Sequence, residues 1–82
     1  MMDIHLGLVV TSVAGRDKGR LFAVVGVVDE NYVLIADGKL RRLEEPKRKK
    51  VKHIRSDGSG WTIETAGVTN RLLREALGAS DA

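Results

Sequence analysis

The chain has 82 residues, with 14 lysines and arginines against 11 aspartates and glutamates, a formal net charge of +3. That length makes one small domain, 1–82, whose core buries only about 60% of the surface the unfolded chain exposes. The absence of cysteine excludes disulfides and thiolate metal sites and fits a reducing, cytoplasmic setting, while the apolar runs 6–10 and 21–28 are far too short to span a membrane.

In chain order, "MMDIHLGLVV" shows neither the basic start nor the small-residue cleavage site of a secretory leader. "HLGLVVTSV", residues 5–13, is rich in β-branched residues and predicts a strand. "AGRDKG", residues 14–19, reads as a glycine-hinged loop. Gly15 and Gly19 permit positive φ, and Asp17 can bond to nearby backbone. The loop is too short for a Walker phosphate loop and lacks its Gly-Lys-Ser/Thr ending. A meander follows: a strand over 21–28 with a bulge or bend at Gly26, a tight turn at "DEN" (29–31), and a strand over 32–36. Asp37 and Gly38 then signal a hairpin into a strand over 39–43, which Pro46 stops.

In "KRKKVKHI", Val51 and Ile54 can anchor a short strand or a turn of helix. "SDGSG" (56–60) is a loop, and "WTIE" (61–64) alternates as a last strand or an extended arm. In "TNRLLREAL" the apolar residues Leu72, Leu73, Ala76 and Leu77 recur at helical spacing. Thr69 or Asn70 can cap the start, and Gly78 suits the position just past the end. So short a helix must pack its apolar face on something. Four or five short antiparallel strands bury a core best by curling into a barrel, which also removes the sheet edges. The expected core is Leu8, Val10, Leu21, Val24, Val27, Val33, Ile35 and Leu40, with Phe22 inside and Tyr32 as core or cross-strand partner.

Charge is unevenly spread. Residues 1–55 carry twelve basic and seven acidic residues, a net +5, and 56–82 carry two and four, a net −2. Residues 39–55 alone hold nine basic against two acidic, a net +7. Like charges this dense repel unless a polyanion neutralises them. One Phe, one Tyr and one Trp argue against a platform that stacks many single-stranded bases. Trp61 either covers the apolar flank with its indole N–H in water or wedges against RNA.

The ordered series Gly7, "SVAGRDKG", "FAVVGVVDENYVLIADGKLRRL" and "PKRKKVKHI" resembles the KOW domain, especially the ribosomal protein L14e group and its bacterial relatives. The resemblance implies an all-β, SH3-like barrel of about five antiparallel strands over 6–55. Residues 56–82 then supply a loop, a short strand or arm, and a C-terminal α-helix. It also implies binding to RNA, usually ribosomal RNA. Carried over by position, Arg16, Lys18 and Arg20 would meet the nucleic-acid backbone from a loop shaped by Gly15, Asp17 and Gly19. The basic tail, Arg41, Arg42, Lys47, Arg48, Lys49, Lys50, Lys52 and His53, would face ribosomal RNA. No cofactor or metal is implied.

The residues do not fill a catalytic constellation. His5 and His53 are far apart in sequence, Glu44–Glu45 and Asp29–Glu30 are simple neighbours, and nothing adjacent activates Ser12. The expected function is therefore RNA binding rather than catalysis. The alternative is a protein–protein adaptor whose partner surface is the Leu72, Leu73 and Leu77 face.

Overall fold

Strands need side chains that suit a pleated surface, and the branched runs supply them. The computed structural model describes residues 4–56 and 60–78. Strands β1 (Val9–Ser12), β2 (Leu21–Val27), β3 (Tyr32–Ala36), β4 (Lys47–Lys50) and β5 (Ile54–Arg55) form one antiparallel sheet in the order β4-β3-β2-β1-β5. A 3-10 turn, Val51–His53, separates β4 from β5, and helix α1 spans Asn70–Gly78.

The strand order and the chain length between strands together require closure. β4 and β5 stand at opposite ends of the sheet, yet only Val51–His53 lie between them. In a flat sheet those edges would be about 19 Å apart. The link from Lys50 to Ile54 reaches at most about 14 Å fully extended, and a 3-10 turn is shorter. The sheet therefore curls into the small SH3-like barrel. Val13 N–H donates to the His53 carbonyl at 2.9 Å and Val51 N–H to Asn31 at 2.8 Å, fixing the link at both ends.

Residues two apart on a strand share a face. Val10 lies opposite Phe22 and Val24 opposite Ile35. With Leu8, Val33 and Ile54 they form the barrel interior. The intervening residues make the outer face, where Val9 lies opposite Ala23 and Ala23 opposite Ala36. Both alanines are fully buried because α1 sits on them through Leu73, with Val25, Leu43, Ile63 and Val68 around the contact. Methyl-sized side chains on that row let the helix come close. Burying one leucine there contributes about 1.5–3 kcal/mol.

Thr69 caps α1, its hydroxyl accepting the Leu72 N–H at 3.1 Å. The 61–64 segment is an extended arm beside the first strand: Val9 N–H donates to Trp61 and Ile63 N–H to Gly7, with Leu8 bridged to Thr62. Residues 57–59 of "SDGSG" lie outside the described residues.

Several expectations are corrected. The β2–β3 register shifts between Val24 and Gly26, as the glycine suggested; Val27 pairs with Val33 but is the last residue of its strand and is 53% exposed there, outside the packed core. No strand covers 39–43. That segment is a turn, Leu40 is 58% exposed, and Pro46 precedes a strand instead of ending one. Leu21 is only half-buried. Gly78 is the last helical residue, not the one after it. Leu73 and Leu77 are buried while Leu72 is exposed, so these three do not form one free surface.

Candidate nucleic-acid interface

The loop after β1 reverses the chain at two glycines, Gly15 at φ 79° and Gly19 at φ 89°. Ser12 N–H donates to the Arg20 carbonyl at 3.0 Å and Gly19 N–H to Ser12 at 2.8 Å, closing the loop at its base. Arg16 and Lys18 are exposed, and between them Asp17 turns inward to 5% exposure. Its role differs from the local backbone contact expected. Asp17 Oδ2 has no hydrogen-bond donor and faces Arg41 Nη2 at 3.6 Å and Lys47 Nζ at 3.8 Å.

The loop after β3 is organised by a second buried aspartate. Asp37 Oδ1 accepts the N–H groups of Lys39 and Arg41, both at 2.9 Å, which bends 37–41 into a capped turn. Its Oδ2 lies 3.8 Å from Arg20 Nη2. Gly38, at φ 78°, packs so tightly on the Asn70 carbonyl that a Cβ would collide with it. Arg74 Nη1 donates to the Gly38 carbonyl at 2.8 Å, and Asn70 Oδ1 accepts the Leu43 N–H at 2.8 Å. The turn is thereby fastened to α1.

The two aspartates work reciprocally. Asp17 of the first loop faces Arg41 and Lys47 of the second loop and β4, and Asp37 of the second loop faces Arg20 at the end of the first. Each carboxylate is nearly buried, and each cation is one-third exposed or more. The acids thus hold the two basic loops side by side from within, leaving positive charge outside.

"KRKK" divides by register. Lys47 pairs with Ile35 and Lys49 with Val33, two interior residues, whereas Arg48 pairs with Leu34 and Lys50 with Tyr32. Lys49 is accordingly 7% exposed, and its ammonium donates to the Ala14 carbonyl at 2.8 Å, across to the first loop. Arg48 is exposed and lies 4.2 Å from the Tyr32 ring centroid. Lys50 and Lys52 are exposed, and His53 is half-buried in the 3-10 turn. Arg42 pairs with Glu44 at 3.2 Å.

Three cations enter the picture from outside the nominated set. Lys39 and Arg55 are exposed within the same basic stretch, where charge alone marked them. Arg74 carried no local signal. It joins Arg20 and Lys39 in lining a groove of about 400 Å³ only because α1 docks there. Away from this region, His5 Nε2 lies 2.8 Å from Thr62 Oγ1. Among the described residues no three histidines, aspartates or glutamates gather into a metal-holding group, and no helix is long and apolar enough to cross a membrane.

No family model matches the chain. It is 41% identical over 79 residues to the large ribosomal subunit protein eL14 of Staphylothermus marinus, covering 96% of this chain and 82% of that protein. Against the proteins of the same name from Pyrobaculum arsenaticum and Pyrobaculum neutrophilum it is 47% identical over 77 residues and 35% over 80. Those matches cover 92% and 95% of this chain, and 75% and 78% of the relatives.

Proposed function

The chain belongs to the eL14 family of large ribosomal subunit proteins, and from that premise we propose that it is a ribosome component that docks on structured RNA of the large subunit. The observation that supports this reading is the pair of reciprocal aspartate clamps, which gathers two basic loops into one rim. Arg16, Lys18 and Arg20 from the first loop, and Arg41, Arg42, Arg48, Lys50, Lys52 and His53 from the second part, meet phosphates. Lys47 and Lys49 serve the frame that holds the loops. Phosphate contacts need no base-specific geometry and fix position rather than sequence. Arginine adds a fork for bidentate contact that lysine lacks.

Arg16, Lys18, Lys39, Lys50, Lys52 and Arg55 are exposed and make no side-chain ion pair among the described residues. If these six each neutralise a phosphate, affinity falls about 10³-fold between 50 and 200 mM salt. The adaptor reading has no comparable support, since Leu73 packs on Ala23 and Ala36 and Leu77 is buried. The role is non-catalytic and places the protein with cytoplasmic ribosomes. The test is recovery of the tagged protein from lysate at low and moderate salt, followed by sequencing of the bound RNA. Enrichment of a defined large-subunit region, weakened at the higher salt, is expected. Folded protein with no RNA above background overturns the proposal.

A further inference from the structure

The clamps leave one part of the sheet unused. On the outer side of β3 and β4, Tyr32 and Leu34 stand opposite Lys50 and Arg48. The Arg48 guanidinium reaches diagonally to 4.2 Å from the Tyr32 ring centroid, so two flat groups are held together on an otherwise charged strand pair. Beside them is a groove of about 430 Å³ lined by Glu30, Asn31, Tyr32, Lys50, Val51 and Lys52. The Asn31 carbonyl is occupied by Val51 N–H, and its backbone N–H by Asp29. Its side-chain amide has no partner among the described residues. A planar ring, an amide with donor and acceptor edges, two lysines and one carboxylate, Glu30, therefore border one small concavity whose cations outnumber its anion.

This combination fits a nucleotide better than a continuous helix. Unpaired bases stack on tyrosine rings and arginine planes and are read at their edges, whereas paired bases are hidden inside the stem. Resting on the RNA-docking reading, we propose that the Tyr32–Arg48 pair and the groove beside it seat one unpaired nucleotide of the bound RNA. Its base lies on the aromatic–guanidinium platform, its edge meets the Asn31 amide, and its phosphate meets Lys50 and Lys52. Docking then selects a stem with an extruded base over a plain stem of equal charge.

The test uses the full chain and two RNA stems of equal length, one continuous and one carrying a single bulged 2-aminopurine. The expected result is salt-sensitive binding to both, with the bulged stem about tenfold tighter, at the low end of what base–aromatic stacking supplies. The 2-aminopurine emission should change on binding. Arg48→Lys keeps the charge and removes the plane, and Asn31→Ala removes the amide at an exposed site. Asn31→Ala should erode the preference and leave binding to the continuous stem within about twofold, whereas Arg48→Lys should weaken the bulged stem more than the continuous one. Equal affinity for the two stems with unmoved emission overturns the nucleotide seat and leaves RNA docking standing. An Arg48→Lys variant that weakens both stems alike, or neither, also overturns it. Failure of folded protein to bind either stem overturns RNA docking itself.

Discussion

Lys49 and Lys50 are neighbours in one basic run, yet their replacement by methionine should do different things. Lys49 is 7% exposed, on the interior side of β4, with its ammonium 2.8 Å from the Ala14 carbonyl. A hydrogen bond from a charged donor contributes about 1.5–3 kcal/mol. Methionine keeps most of the stem's packing and removes the cost of burying an ammonium, which offsets part of that loss. The net cost of Lys49→Met is about 1–2 kcal/mol, or a fall in Tm of about 5–15 °C for a domain of this size. Lys50→Met, at an exposed site without an ion pair, should change stability by less than about 0.5 kcal/mol. RNA binding should invert the order. Below the melting range, the slope of log affinity against log salt should fall by about one for Lys50→Met and stay unchanged for Lys49→Met. Thermal melts and salt titrations of the two variants settle it. If Lys49→Met melts like the parent and lowers the salt slope as Lys50→Met does, the division of the run by register is wrong.

Two further contrasts test the packing. Gly38→Ala forces a Cβ into the Asn70 carbonyl at positive φ and should cost about 2–3 kcal/mol or more, while Gly19→Ala, with open space around it, should cost about 1–2 kcal/mol from φ alone; chemical denaturation measures both. Leu73→Ala should cost about 2–5 kcal/mol because it empties the contact on Ala23 and Ala36, whereas Leu72→Ala, at 49% exposure, should stay within about 0.5 kcal/mol in the same assay.

What could be read from residues alone was local. The 32–36 strand, the Asp29 turn and the bulge before Gly26 follow from branched side chains, an Asx contact and a missing Cβ, all within a few residues. The barrel and its family were carried by the ordered motif series. What escaped was set by contacts distant in sequence. Asp37-Gly38 looks like a hairpin turn, but Asp37 spends its carboxylate on the amides of Lys39 and Arg41, and Gly38 is pressed against α1. The strand therefore moved to "KRKK", where lysine is a poor strand former. The site suffered the same way. The resemblance implies eleven site residues by their place in the motif, and neither that place nor charge reveals which side of a strand a lysine occupies. Only the pairing with Val33 and Ile35 assigns Lys49 and Lys47 to the interior side, and only the docking of α1 brings Arg74 to the groove.

The barrel's seam has a consequence for the order in which the molecule assembles. The β2–β3 hairpin joins residues close in sequence, so it can form as soon as Ala36 is available. Along its other edge β1 pairs with β5, with Thr11 opposite Arg55 and Ser12 opposite Ile54, more than forty residues away, and Val9 meets the still later arm at Trp61. Closing so long a loop is slow relative to hairpin formation. During synthesis the first strand must therefore wait, with one edge open, until the last of the basic run has emerged. The segment proposed to hold RNA is also the one whose arrival completes the barrel.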